Sequence, residues 1–233
     1  PGTAYAIHDN LGEILEQNDK VFNRKAVKKN MNRKQFITTT ALTALAVSAC
    51  GNINKLPDSS KFEGDCETTN DILGPFYRPN APLRQDLTHN NLKGTPVELK
   101  GVVYASDCKT PLKNALVEIW HCNTEGDYDN SSDNYNQRGS WKTNEEGEYS
   151  FKTILPGKYL NGTLYRPAHI HFRITESNHN ELVSQVYFKN DPDIEKDPWA
   201  SKSKAKSRIL PITLEDTKGN LTINFNIYLT NKS

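Results

Sequence analysis

Short segments in which apolar and polar residues alternate are the feature that most restricts the fold of this chain. The alternation runs through PVELKGVVYA (96–105), NALVEIWHCN (114–123) and LTINFNIYL (221–229), and turns rich in Gly, Pro and Asn separate such segments. A period of two is typical of β-strands with one buried face. The pattern therefore predicts an all-β domain, a β-sandwich of mainly antiparallel strands with long loops.

Three further segments are predicted to contain strands. They are NEEGEYSFKTIL (144–155), which opens on a turn, RPAHIHFRIT (166–175) and LVSQVYF (182–188). The Pro-rich, aromatic stretch ILGPFYRPNAPLRQDL (72–87) predicts an ordered but irregular arm before the first strand. No helical periodicity of any length follows residue 60, which agrees with an all-β class.

The sequence before the arm has the layout of a lipoprotein leader. The only methionine, Met31, is followed by a basic stretch, a short apolar run and the small-residue ending VSAC at Cys50. This layout predicts a signal peptide over 31–50 and a lipid anchor on Cys50, in the bacterial cell envelope. An amphipathic cytosolic helix is the alternative. Residues 1–30 are then an upstream over-extension, expected to be disordered, and residues 51–66 a polar tether.

The charge balance does not favour a nucleic acid as partner. The formal net charge is +1, and the basic residues are scattered apart from a short cluster at 202–208. Such a cluster is typical of a solvated loop. Because only 35% of the residues are hydrophobic, we expect a polar exterior around one modest core.

The segment LYRPAHIHFRI (164–174) carries two imidazoles and a guanidinium within an apolar run. Residues two apart in a strand point to the same side, so His169 and His171 are predicted to project together, opposite Ile170. Two neutral imidazoles on one face form a chelating pair for a transition metal. Hydrogen-bonded core histidines are the alternative. Zinc would need a third His, Cys or carboxylate ligand, and no obvious one lies nearby.

Two tyrosines in turn-like contexts are the other candidate ligands: Tyr128 in TEGDYDN and Tyr159 in LPGKYLNG. A phenol has a pKa of about 10 in water, so it is a poor ligand for a weakly acidic divalent ion. A trivalent ion can displace the proton and bind the hard phenolate oxygen. Packing at the rim of the domain is the alternative for each tyrosine, and Tyr135 competes with Tyr128 as a ligand.

Together these motifs resemble a known family, the intradiol ring-cleavage dioxygenases of the protocatechuate 3,4-dioxygenase type. The motifs are VEIWHCNTEGDYDN (117–130), RGSWKTNEEGEYSFKTILPG (138–157) and PGKYLNGTLYRPAHIHF (156–172). The resemblance implies a catalytic domain over 67–233 with a non-haem Fe(III) site. Its implied ligands are Tyr128, Tyr159, His169 and His171, with Tyr159 and His171 axial and the other two equatorial beside a hydroxide.

The family also has a pocket arginine and a pocket glutamine, which match Arg166 and Gln185. The resemblance implies that a catecholic substrate binds the iron through both oxygens and that Tyr159 takes up a proton and leaves the metal. Reaction with O2 then opens the ring between its hydroxylated carbons to a muconate-type diacid. Arg166 would stabilise negative charge on the ring. In the alternatives, Arg166 is a salt-bridged structural residue and Gln185 an ordinary strand residue.

Cysteine usage and two rival functions complete the expectations. Cys66, Cys108 and Cys122 follow the leader, and an oxidising envelope permits a disulfide. Cys66 with Cys108 is the predicted pair, because Cys122 lies near the proposed site; three unpaired thiols are the alternative. The rival functions are a non-catalytic β-sandwich lipoprotein that binds a ligand and a copper or zinc enzyme using His169 and His171. The sequence leaves the particular catechol and the oligomeric state open, a homo-oligomer included.

Overall fold

The computed structural model describes residues 66–89, 92–214 and 220–232, and its regular elements are almost all strands. The strands are β1 (Pro96–Ala105), β2 (Leu116–Trp120), β3 (Arg138–Lys142), β4 (Glu148–Ile154), β5 (Tyr159–Asn161), β6 (Leu164–Arg166), β7 (His169–Thr175), β8 (Leu182–Phe188), β9 (Ile209–Leu210), β10 (Thr213–Leu214), β11 (Leu221–Asn224) and β12 (Ile227–Leu229). Two short 3-10 helices, Ile194–Lys196 and Ser203–Arg208, lie between β8 and β9. The all-β prediction is confirmed.

The predicted leader lies outside the described residues. This holds for the over-extension (1–30), the signal peptide (31–50) with Cys50, and the tether (51–66) up to its last residue. Within the ranges that are described, no helix combines the length and the apolar character needed to span a bilayer.

The predicted arm (72–87) is ordered and irregular, as expected; in the structure the same irregular segment extends back to Cys66, and we include these residues in the arm, so that a disulfide fixes its start. Cys66 is bonded to Cys108, which confirms the predicted pairing, and Cys122 is a buried free thiol. Backbone N–H groups of the arm donate to carbonyls of both sheets: Asp71 to Val183 (2.8 Å), Arg84 to Ser140 (3.0 Å) and Leu87 to Lys152 (2.8 Å). These bonds satisfy backbone groups that no strand ladder would pair.

The first sheet has the order β10–β11–β1–β12, with β4 paired to β1. The prediction of one strand over 221–229 is wrong in one respect, because this segment forms two strands, β11 and β12, with a break between them. A Cβ on Gly101 of β1 would lie 1.9 Å from the Phe225 carbonyl oxygen, so the two backbones approach too closely for a regular ladder. The side chain of Asn226 takes up one of the lost bonds, accepting the Val102 N–H at 3.1 Å.

The second sheet, in the order β3–β2–β7–β8–β9, carries the candidate site. Strand β7 runs antiparallel to both β2 and β8. In this register His171 lies opposite Trp120 on one side and Gln185 on the other, while His169 lies opposite Tyr187. Cross-strand partners project from the same face of a sheet. One face therefore presents all five side chains.

The other face of β7 forms the core between the sheets. The ring of Phe172 lies 6.3 Å from that of Tyr149 in β4 and 5.2 Å from that of Phe225, which lies between β11 and β12 of the first sheet. His169 and His171 are nevertheless only 1% exposed each. The start of β7 is buried on both faces, because the arm covers the face that carries the histidines.

The run 164–174 does not form one strand. Strand β6 ends at Arg166 and β7 begins at His169, since Pro167 has no N–H for a ladder. The N–H of Ala168 donates instead to the Asp191 carboxylate at 2.9 Å. As a result, β5 and β6 pair separately as a small hairpin beside the second sheet.

Candidate active site

The structure brings the four predicted ligands together: Tyr128 from a loop, Tyr159 from the start of β5, and His169 and His171 from β7. The ring centroids are 4.9 Å apart for His169 and His171, 5.7 Å for Tyr159 and His169, and 6.2 Å for Tyr128 and His171. The Tyr128 Oη atom lies 3.4 Å from His169 Nε2. Atoms that bind one ion at about 2.0–2.1 Å lie roughly 3–3.5 Å from each other, so this spacing suits two ligands of a shared metal.

Both histidines are held in the neutral form that a metal requires. Burial, with the nearby Arg166 charge, lowers the pKa of His169 to about 3, and burial together with His169 lowers the pKa of His171 well below its usual value. The Nδ1–H of His169 donates to the Pro167 carbonyl at 2.6 Å. Its Nε2 lone pair is therefore directed at Tyr128 and the centre of the cluster.

Two orphaned polar atoms mark the same region. Among the described residues, His171 Nδ1 and Trp120 Nε1 are buried without a hydrogen-bond partner. The two rings stack on each other at a centroid distance of 4.8 Å and an interplanar angle of 10°. Stacking fixes the plane of the His171 ring but leaves its Nδ1 without a hydrogen bond.

Tyr128 is a buried phenol that does not ionise on its own. Burial is the main cause that raises its pKa well above 10, although the charges of Arg166 and Arg138 oppose the shift. Only a strong Lewis acid would convert this side chain to the phenolate. In the described part of the chain, no cluster of three or more His, Cys, Asp or Glu side chains could hold a metal. The Tyr128 oxygen, 3.4 Å from His169 Nε2, is a phenol oxygen that could serve as a further ligand.

Close packing of two glycines sets the two tyrosine loops against each other. A Cβ on Gly126 would lie 2.4 Å from the Lys158 carbonyl oxygen, and a Cβ on Gly157 would lie 2.2 Å from that of Thr124. Any other residue at these positions would push the loops apart. The two loops therefore share one backbone interface, which brings the phenols of Tyr128 and Tyr159 close to each other.

The arm forms the wall of the site. Phe76 stacks on Tyr128 with ring centroids 4.3 Å apart and meets Tyr159 edge-on at 5.6 Å. Gly74 adopts φ +74°, and a Cβ there would lie 3.1 Å from His171 Cε1. The arm thus places backbone against the His171 ring and the Phe76 ring against those of Tyr128 and Tyr159.

Arg166 and Gln185 lie together beside the cluster. Arg166 is 2% exposed, and its Nη2 donates to Gln185 Oε1 at 3.1 Å. Gln185 Nε2 donates to the Ile72 carbonyl at 2.8 Å, which ties the arm to β8. Arg166 is the cross-strand partner of Tyr159, and the Tyr159 hydroxyl contributes to the raised pKa of the guanidinium.

The rival ligand Tyr135 does not join the cluster. Its hydroxyl donates to the Pro79 carbonyl at 3.4 Å, and the Arg78 guanidinium lies 4.0 Å from its ring centroid. The geometry thus favours Tyr128 over Tyr135.

Several residues around the site were not predicted from the sequence. Phe76 and Trp120 pack on the ligand rings, and Tyr187 and Asp197 bind Arg166. Arg138, 1% exposed, donates to the Phe76 carbonyl at 2.7 Å and so holds the arm in place. The sequence offers one signal for these residues: an aromatic side chain in a Pro-rich arm, which could have indicated that Phe76 contacts the site.

Known proteins resemble this chain in both sequence and fold. A family model described as "Dioxygenase" matches residues 72–231. An intradiol ring-cleavage dioxygenase of Aspergillus niger is 30% identical over 193 residues, which cover 73% of this chain and 61% of that protein. A chlorocatechol 1,2-dioxygenase of Rhodococcus opacus is 31% identical over 199 residues, covering 74% and 76%.

Among solved structures, the mercury-inhibited catechol 1,2-dioxygenase of Acinetobacter sp. ADP1 is similar, with a TM-score of 0.63 and 28% identity. The match covers 71% of this chain and 63% of that one. The chain spans 50% to 61% of the length of the first curated relatives that it matches. Since the family model covers most of the chain and the Rhodococcus relative is matched over 76% of its length, the chain belongs to the intradiol ring-cleavage dioxygenase family.

Proposed function

We propose that this protein is a non-haem Fe(III) dioxygenase that opens a catecholic ring between its two hydroxylated carbons. The co-substrate is O2, and the product is a muconate-type diacid. The observation that carries the proposal is the convergence of two phenols and two neutral imidazoles beside one buried guanidinium. The substrate class follows the relatives, which are named as catechol and chlorocatechol 1,2-dioxygenases.

The donor set fits ferric iron. Hard phenol oxygens favour a trivalent ion, and imidazole nitrogens complete a site for iron rather than for calcium or magnesium. Tyr128, Tyr159, His169 and His171 would hold it. When bound, ferric iron would supply the Lewis acidity that holds both catechol oxygens as anions and prepares the ring to react with O2.

The protein's own residues would manage protons, charge and water. Tyr159 Oη would accept a proton from a substrate hydroxyl, and the adjacent Arg166 would stabilise negative charge on the bound ring. Such stabilisation is strong where water is excluded, and Phe76 and Trp120 provide that exclusion by covering the ligand rings. Gln185 would keep Arg166 and the arm in register.

The test is oxygen uptake by the iron-loaded protein with catechol, protocatechuate and hydroxyquinol. We expect a red-brown protein that consumes one O2 per ring and yields the absorbance of a muconate-type product with at least one substrate. His169→Asn should abolish turnover, while His179→Asn, which alters a histidine bonded to Glu176 beyond the end of β7, should not.

Two outcomes would contradict the proposal. A colourless iron-loaded protein without oxygen uptake would favour a ligand-binding protein of the same fold. Turnover that depends on copper or zinc would favour a different metalloenzyme at His169 and His171.

We further propose that the protein is lipid-anchored on Cys50 in the bacterial cell envelope, on the strength of the VSAC motif and the preceding basic and apolar segments. Expression from Met31 with labelled fatty acid should place label and protein in the membrane fraction. Cys50→Ser should remove both, and the fatty-acid label remaining on this variant would refute the anchor.

A further inference from the structure

The Arg166 guanidinium is clamped by residues outside the β5–β6 hairpin that carries Tyr159. Its Nε donates to Asp197 Oδ2 at 2.8 Å, and its Nη2 lies 3.4 Å from Asp197 Oδ1. The same Nη2 also donates to Gln185 Oε1 at 3.1 Å and Tyr187 Oη at 3.2 Å. A two-point contact between a guanidinium and a carboxylate fixes direction as well as distance. The Nη1 end makes none of these bonds.

Asp197 is itself held rigidly. Its side chain is 0% exposed, and Oδ1 accepts the backbone N–H groups of Trp199 at 2.9 Å and Ala200 at 2.7 Å. The N–H of Asp197 donates to the Ile194 carbonyl at 3.3 Å, where the 3-10 helix ends. Ala200 packs in a buried cluster with Tyr187, the cross-strand neighbour of His169. The carboxylate therefore belongs to the same rigid unit as the second sheet.

Trp199 fixes the remaining freedom of the arginine. Its ring centroid lies 4.5 Å from Arg166 Cζ, so it sets the plane of the guanidinium while Asp197 sets its rotation within that plane. Burial opposes the charge on Arg166, but the Asp197 carboxylate together with Tyr187 and Tyr159 outweighs burial, and the pKa of the guanidinium is raised. A buried charge of this kind persists only when it is paired.

We propose that Asp197 is a positioning residue for the ring-cleavage reaction: with Trp199 it holds the Arg166 guanidinium at the Tyr159 hydroxyl. This inference depends on the proposed function, because the role of Arg166 is assigned there. It adds a specific cause for the placement of that charge. The competing explanation is an ion pair that only stabilises the 3-10 turn.

A double-mutant cycle separates the two explanations. In the iron-loaded full chain, Asp197→Asn should lower kcat/KM by roughly 10- to 100-fold, the range for loss of a supporting contact at a catalytic site. In an Arg166→Gln background the same substitution should change kcat/KM by less than about 3-fold, since the group it positions is gone. Equal losses in both backgrounds, or no loss in either, would overturn the proposal.

Two further measurements guard against misfolding. Trp199→Leu keeps both charges and should lower kcat/KM by roughly 3- to 10-fold, again only when Arg166 is present. In the metal-free protein the Arg166 Nε–H should exchange slowly with solvent by NMR. Asp197→Asn should remove that protection, whereas Glu176→Gln, which alters a hydrogen bond with His179 beyond the opposite end of β7, should retain it. Unchanged protection in Asp197→Asn would refute the clamp.

The outcomes also distinguish this inference from the proposed function. If the wild-type protein is active and Asp197→Asn has the same kcat/KM, only the positioning role is refuted. A wild-type protein inactive with every catechol would refute both, and proton exchange at Arg166 would still decide whether the clamp exists.

Discussion

Tyr159 and Arg166 lie directly opposite each other in the β5–β6 hairpin, so a phenol and a guanidinium enter the site from one face of a two-stranded ribbon. The next pair, Leu160 and Tyr165, points the other way and is 55% and 47% exposed. Because side chains alternate along a strand, a slip of one residue would exchange the two faces. The register of this short hairpin therefore determines whether a phenol or an aliphatic chain faces the histidines.

Replacing either ligand tyrosine should change the iron-loaded protein, whereas replacing Tyr135 should not. We expect Tyr128→Phe and Tyr159→Phe to shift or bleach the visible tyrosinate band and to lower turnover by roughly 100-fold or more, since each removes a metal ligand. Tyr135→Phe is the matched control, because its hydroxyl donates to the Pro79 carbonyl at 3.4 Å and not to the ligand cluster described above. A normal spectrum in Tyr159→Phe, or a bleached one in Tyr135→Phe, would refute the ligand assignment.

Gly74 and Gly162 offer a matched pair for the contact between the arm and His171. Both have positive φ, +74° and +65°, but a Cβ on Gly162 would meet nothing within 4 Å. Gly162→Ala should cost about 1 kcal/mol of unfolding free energy and leave activity intact. Gly74→Ala should cost more and also weaken iron binding, because the methyl group displaces the His171 ring. Urea unfolding and competition with a chelator measure both effects, and identical behaviour of the two variants would contradict the contact.

The histidine pair could be predicted from the sequence because its geometry is local. A period of two places His169 and His171 on one side of a strand, whatever the rest of the chain does. The approach of Tyr128 to Tyr159 is not local. It depends on the packing of Gly126 and Gly157, which cannot be inferred from the spacing of residues in the sequence. The prediction that the two tyrosines share a site therefore came from a family resemblance.

Other features escaped prediction because packing overrides pattern. Strand β3 buries its first three residues and exposes the last two, so RGSWK shows no alternation to detect. Asp197 reaches Arg166 from 31 positions further along the chain, at the end of a 3-10 helix. The break between β11 and β12 follows from a close backbone approach at Gly101, which hydropathy does not report.

Stability should fall in acid partly through Glu176. Burial opposes its charged form, but hydrogen bonds from His179 and neighbouring groups outweigh this and lower the pKa of Glu176 from 4.5 to about 2. Since the folded pKa is the lower one, the carboxylate contributes its full stabilisation above about pH 4.5 and loses it as the pH falls toward 2.

Urea midpoints between pH 2 and 7 check this expectation. Glu176→Gln should be less stable than the wild type at pH 7, and the gap should close through that window. Glu145→Gln is the control. The Glu145 side chain is 70% exposed and forms a surface ion pair, so this variant should differ little from the wild type in stability at any pH. A gap for Glu176→Gln that is constant with pH would refute the assignment.

The disulfide should matter to the site as well as to stability. Cys66 and Cys108 are separated by 42 positions, and opening a loop of that size costs about 4 kcal/mol in the chain-entropy account. Reduction, or Cys66→Ser with Cys108→Ser, should lower the urea midpoint accordingly. Because the arm that starts at Cys66 also places Phe76 against Tyr128, the visible band of the iron-loaded protein should shift too.

Cys122→Ser is the control for the disulfide. It should keep the wild-type response to reductant, since a hydroxyl can replace the thiol that donates to the Gly157 carbonyl. If the midpoint fell on reduction while the band stayed fixed, the disulfide would stabilise the fold without holding the arm over the site.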